Sequence, residues 1–345
     1  MTEIPYVQRE EIMSTLDVKP SAFMSRQIDR ACLTGSRLVD GFCHRSFAPE
    51  LGTRYFDYPG TRATSRRIWF DQYGLISASS VISGGVTYAE GTDFYLRPEN
   101  SGGTEPFSYI ELNRSGSASF SGGPQRAVAI TGLWGYTLVE QPTTTLAASA
   151  TAGATTVSTV GPACGVGGLL RIDNERLLVT GKGWTNSTAT APTLAASASA
   201  TTLPTASAAL FTPFEKILID GERMEVLDVY ATGITVRRAV DGSTLAAHTA
   251  GTAIYWEHSL AVERGAGGTT AAAHSNGAAV SLWVPPSQIA ALARAYALDT
   301  FLQENAGYAR TSGQGENERP TSGRGIKDLE TRCKPFVRSA RTRTV

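Results

Sequence analysis

The sequence is poor in the features that usually advertise chemistry. Its four cysteines, Cys32, Cys43, Cys164 and Cys333, are scattered over 345 residues with no CxxC pair. That spacing excludes a disulfide framework or a zinc ribbon and fits reduced thiols in a protein made in a cytoplasm. No apolar run approaches the roughly 18 residues needed to cross a bilayer. The opening MTEIPYVQREE puts acids where a secretory signal needs a basic and then an apolar stretch. A soluble chain with no membrane partner is therefore expected. Charge of one sign is lacking too, because 31 Lys and Arg offset 31 Asp and Glu. A protein that wraps nucleic acid needs a large basic surface, which this balance denies except as a local patch. There is no GxSxG elbow, and GPACGVGG, residues 161–168, lacks the GK[ST] ending of a phosphate loop. No cofactor is expected.

What is present changes character along the chain. From Tyr6 to about His44 the apolar period is helical, and Met24, Ile28, Ala31, Gly35, Leu38 and Phe42 form a seam whose small middle suits close approach by another helix. After Pro49 the period becomes two, in runs such as TRYFDY, RRIWF, LISASSVIS and RAVAITGLWGY, which reads as a β-domain ending near Tyr136. From Thr143 composition shifts to Ala, Ser and Thr, and TLAASA occurs at Thr145 and again at Thr193. Each copy leads to a hairpin, LLRIDNERLLV and then KILIDGERMEV. The Asp173-Asn174 and Asp220-Gly221 pairs suit two-residue turns with positive φ. A third, partial copy is expected in SLAVERGAGGTTAAAHSNGAAVSLW, so that the repeats span about 143–283. Helix returns at VPPSQIAALARAYALDTFLQENAGY, and a polar loop, a short helix and a basic tail close the chain. The expected fold class is α+β. Helical N- and C-terminal segments (1–50 and 284–345), forming a connector-type helical bundle, would flank a β-rich domain (51–140) and a largely β insertion of small repeats (141–283).

Three groups of residues invite a chemical reading. His248 and His274 sit in equivalent small-residue beds 26 positions apart. Neither has a second His or Cys at ligand spacing, so a turn role with the imidazole bonding backbone outweighs a metal site. Asp173 with Glu175 and Asp220 with Glu222 resemble paired general acids and bases. Yet each pair straddles a tight turn rather than a cleft, and turn chemistry explains the duplication better. The tail from Thr331 carries Arg332, Lys334, Arg338, Arg341 and Arg343 with no acid. It reads either as a solvated end or as a docking arm with Phe336 as its apolar anchor.

The order of elements carries a resemblance. IDRACLTGSRLVDGFCHRSFAPELGTRYFDYPG, then RRIWFDQYGLISASSVISGGVTYAEGTDFYLRPEN, SYIELN, VAITGLWGY and the closing VPPSQIAALARAYALDTFLQENAGYAR resemble head-tail connector (adaptor) proteins of tailed bacteriophages. The likeness covers about Tyr6 to Tyr136 and Val284 to Val345. It implies a structural virion protein without catalysis: a subunit of a ring, usually a dodecamer, at the neck beneath the portal of the capsid vertex. Its implied partners are other copies of itself, the portal protein and a tail or neck (stopper) protein, with transient contact to packaged DNA in the lumen. The basic tail is the segment expected to reach the portal. The β-repeats depart from the family, whose simple members run almost directly from the wGy strand to the last helix. A fibre- or decoration-type adhesion protein binding the host surface through those repeats is the rival expectation.

Overall fold

The computed structural model describes residues 3–16, 22–58, 66–70, 73–99, 105–121, 123, 125–305, 311–312, 319–320 and 325–338. Helices α1 (Arg9–Leu16) and α2 (Ala22–Cys43) open the chain, and α3 (Ser287–Asn305) and α4 (Ile326–Cys333) lie near its end. The expected small seam is where α2 meets α3. A Cβ on Gly35 would stand 2.6 Å from the Ala293 carbonyl oxygen and 2.7 Å from the Ala297 nitrogen. Only a residue without a side chain lets two backbones approach that closely. Ile12, Ile28, Ala31, Ala297 and Phe301 fill the space around the crossing.

Alternating strands follow. β1 (Glu50–Phe56), β3 (Leu75–Ser83), β4 (Val86–Tyr88) and β7 (Val128–Trp134) form a sheet in the order β1-β7-β3-β4. β2 (Arg67–Trp69), β5 (Phe94–Arg97) and β6 (Tyr109–Leu112) form a second, in the order β2-β6-β5. The two sheets share one core, in which Phe56, Phe70 and Trp134 pack with ring centroids 5.5 to 5.9 Å apart. Most of the aromatic content of this domain is thereby spent on packing.

The repeats build one large sheet. Its strands are β8 (Glu140–Thr145), β9 (Thr156–Ser158), β10 (Leu169–Ile172), β11 (Glu175–Thr190), β12 (Thr202–Pro204), β13 (Lys216–Ile219), β14 (Glu222–Tyr230), β15 (Gly233–Arg237), β16 (Ala253–Glu263) and β17 (Ala279–Trp283). They run β12-β15-β14-β13-β16-β11-β10-β17-β8, with β9 beside β16. The pairing shows two units rather than three. In the second, β13 pairs β14 in a hairpin and also pairs the first part of β16, while β15 pairs both β14 and β12. In the first, β10 pairs β11 in a hairpin and also pairs β17, while the last part of β16 pairs both β11 and β9. What reads in the sequence as a third partial copy is the closing half of the first unit. The second unit is inserted into the β11–β16 hairpin, and β16 serves both.

The α+β expectation is overturned. The chain is mostly β, 38% strand against 22% helix, with a ten-stranded sheet and only four α-helices among the described residues. Two physical reasons account for the difference. The repeats do not stand apart as small domains, because the shared strand fuses them into one sheet. The helices do not make a separate flanking bundle, because a single core mixes helical and strand residues: Tyr6, Cys43, Phe47, Leu169, Trp283 and Leu292 all contribute to it. No helix among the described residues is long and apolar enough to cross a membrane.

Candidate functional site

The two hairpins with Asp and Glu at the turn each hold a buried cluster of charged side chains. Asp173 and Asp220 both adopt φ of 53°, the left-handed geometry that a two-residue turn requires. Each turn lifts its Asp toward solvent and drops the following Glu into the core. Glu222 Oε1 accepts from Arg238 Nε at 2.7 Å and the Ala239 amide at 3.0 Å; its Oε2 accepts from Arg238 Nη2 at 2.8 Å and the Ala246 amide at 3.0 Å. His248 bridges the two acids, with Nε2 2.9 Å from Glu222 Oε2 and Nδ1 2.8 Å from Asp220 Oδ2. Arg238 also donates to the carbonyls of Ala195, Ala200 and Ala246, which ties the Ala/Ser/Thr-rich segment to the hairpin.

The first unit repeats the arrangement atom for atom. Glu175 holds Arg264 at 2.7 Å through both Nε and Nη2 and accepts from the Gly265 and Ala272 amides. His274 bridges Glu175 and Asp173 at 2.9 and 2.8 Å. Arg264 reaches the carbonyls of Thr151, Ala154 and Ala272. Burial alone pushes both glutamate carboxyls up. The guanidinium, amide and imidazole donors outweigh it and hold each down to about 2.

This geometry is a clamp. Glu222 and Glu175 have side chains with no exposure to solvent, and every oxygen is already bonded, so neither can meet a substrate. The imidazoles of His248 and His274 bond carboxylates and not the backbone expected from the sequence, while their backbones bridge to Leu194 and Ala150. Asn174 and Gly221 are the second residues of the two turns, and space around a Cβ at Gly221 is open. A surface cavity of about 300 Å³ beside the second clamp is lined by Gly221, Glu222, Arg223, Asp241, Ser243 and Thr244. Its charges are spent internally, since Lys216 Nζ lies 2.5 and 2.6 Å from the two Asp241 oxygens. Among the described residues no group of three or more His, Cys, Asp or Glu could hold a metal ion. Burial pushes the thiols of Cys32, Cys43 and Cys164 up to about 12, so none is a ready nucleophile.

Sequence reasoning missed the clamp's central residue. Arg238 and Arg264 each stand ten positions before the histidine of their copy, a shared spacing that could have marked them. The basic tail falls elsewhere. Arg332 and Lys334 are exposed on α4 and the turn after it. Phe336 packs against Tyr136 and Phe47, with centroids 5.4 and 6.2 Å away, and so anchors the tail to its own chain. The Arg338 amide bonds the Cys43 carbonyl and its guanidinium the Tyr73 carbonyl. Arg341 and Arg343 lie outside the described residues.

GPACGVGG also acquires a role. The Gly165 amide donates to Gln8 Oε1 at 2.5 Å, the Val166 amide to Glu10 Oε2 at 2.8 Å, and the Val166 carbonyl accepts from the Arg9 amide. The loop is the socket for the segment that begins α1. Comparison with known proteins finds no family model, no curated protein and no solved structure that matches this chain.

Proposed function

We propose that the chain is a structural virion protein, a head-tail connector subunit that joins a ring of its own copies to the portal above and a tail or neck protein below. One observation supports this reading most. The two stretches that resemble the connector family, separated by the β-repeats, close on one core in which Tyr6, Phe47, Tyr136, Ile289 and Cys333 meet. The first repeat unit packs into that core through Leu169, Leu178 and Ala266, whereas residues 184–258 contribute nothing to it. The groups that look most enzyme-like are consumed in holding turns, which leaves shaped surfaces as the means of action. A ring subunit works through such heterologous flanks, and closure is its product.

Particle imaging with the chain labelled is the deciding experiment, with density expected at the neck beneath the portal. Density on a fibre or capsid face, together with cell binding by residues 143–283 alone, would favour the adhesion reading instead. Dilute purified protein is expected to be monomeric by mass and to form a ring only when portal is added. A stable free ring contradicts that expectation.

A further inference from the structure

The sheet β2-β6-β5 buries one face and turns the other outward. Alternation sends Ile68, Phe94, Leu96 and Ile110 into the core shared with the larger sheet of that domain. The residues between them form a grid on the opposite face. Arg67 stands opposite Glu111 and Glu111 opposite Tyr95, while in the next row Trp69 faces Tyr109 and Tyr109 faces Arg97. The solvated face of an antiparallel sheet is ordinarily polar. Here three of six side chains are aromatic, all three half-buried and none part of the core. The Trp69 and Tyr109 rings lie 4.1 Å apart at 39°. The Arg67 guanidinium stands 5.4 Å from the centre of the Tyr109 ring, and that of Arg97 stands 5.3 Å from the centre of Tyr95.

The charges on this face are unequal. Glu111 accepts from Arg67 Nε at 2.9 Å and from Arg114 Nη2 at 3.0 Å, and Arg97 Nε lies 3.4 Å from its other oxygen. Arg97 also bonds Glu99, and Arg66 donates to the carbonyls of Asn113 and Arg114 at 3.3 Å. These four guanidiniums share two carboxylates, so a chain with no net charge carries a local positive surplus here. A carboxylate offers about four acceptor positions and a guanidinium five donors, which leaves the cluster able to take further acceptor oxygens. Arg114 has 74% of its side chain exposed and Arg67 42%.

We infer that this face binds single-stranded nucleic acid, with phosphates on the arginines and bases stacked on Tyr95 and on the Trp69–Tyr109 pair. An aromatic ring takes any base by its π-face, and a guanidinium takes phosphate oxygens in a two-pronged bond. A strand whose bases can splay out offers both groups together. A duplex keeps its base faces stacked inside and would engage the arginines alone. A neutral sugar chain would use the rings and leave the surplus charge unmatched. An acidic peptide would match the charge and leave the rings idle.

Fluorescence anisotropy of the full chain with labelled oligothymidylate and oligouridylate tests this without portal or particle, and the two probes tell DNA from RNA. Binding of either is expected, tighter than that of a duplex of equal length and weaker as salt rises. Tyr95→Leu, which keeps an apolar side chain on the strand, is expected to weaken binding about ten-fold. Arg114→Gln, at an exposed side chain, is expected to weaken it too and to lower the slope of log affinity against log salt by about 0.7. Ultraviolet crosslinking should mark peptides that hold Trp69, Tyr95 or Tyr109. The inference is overturned if neither probe binds at low salt, if the duplex binds as tightly as the single strand, or if polyglutamate competes as well as oligothymidylate. Crosslinks confined to other segments, or variants with unchanged thermal midpoints that bind like the wild type, would overturn it as well.

Discussion

Glu222 shows how far local chemistry can mislead. An acid two positions after another invites a catalytic reading, and Glu222→Gln would be the natural test of activity. In the folded protein that substitution leaves Arg238 buried without a counter-charge, and removing one partner of such a pair costs about 3–5 kcal/mol. We expect Glu222→Gln to lower stability by that amount in urea titration, and Glu175→Gln to do likewise. The pH dependence follows from the same groups. Their ordinary value is 4.5 and the fold holds them at about 2, so the unfolded chain binds more protons between those limits. Each contributes about 3 kcal/mol that is fully present above pH 4.5 and is lost as pH falls through about 2. Asp40 has the opposite sign. Burial pushes it up to about 6 despite the Tyr6 hydroxyl and Arg37 beside it. Its contribution is present below its ordinary 3.8 and lost as pH rises through about 6. Asp40→Asn is therefore expected to stabilise the protein at pH 8, by at most about 3 kcal/mol, and to have no such effect at pH 4.

Among the elements, the crossing of α2 and α3 leaves no room for a side chain at Gly35. The atoms facing Gly35 are backbone, which cannot rotate away as a side chain would. Gly35→Val is expected to cost about 2–3 kcal/mol or more by overpacking, seen as a lower thermal midpoint. The small seam was legible in the helical period around Gly35, and the hairpin turns were legible in Asp-Asn and Asp-Gly. Both depend on neighbours within a few residues. The role of GPACGVGG was not legible, because its partners, Gln8 and Glu10, lie more than 150 residues earlier.

At the scale of the molecule the nesting of the two units decides the architecture. Arg264, His274, Glu175 and Asp173 all lie outside residues 184–258, so the first clamp does not need the second unit. Gly183 and Ser259 are paired neighbours on β11 and β16. Replacing 184–258 by an Asn-Gly turn, which suits a two-residue hairpin, is expected to leave a folded protein with one cooperative unfolding transition. Loss of that transition by calorimetry would show that the units fold only together. Because the core around Tyr6, Phe47 and Tyr136 contains no residue of the inserted segment, the proposed connector function predicts that the shortened chain binds portal as the full chain does.

The residues by themselves determined what acts over short range: helical and strand periods, the two turn types, the absence of a metal or phosphate motif and the existence of a repeat. Only the tertiary structure decided that the repeat is nested, that an arginine paired with a buried glutamate organises each copy, and that the helices join the strands in one core. The physical reason is that hydrogen-bond ladders and buried ion pairs are formed between groups close in space. Arg238 meets Glu222 from 16 residues away and Arg264 meets Glu175 from 89, yet the two bonds are alike.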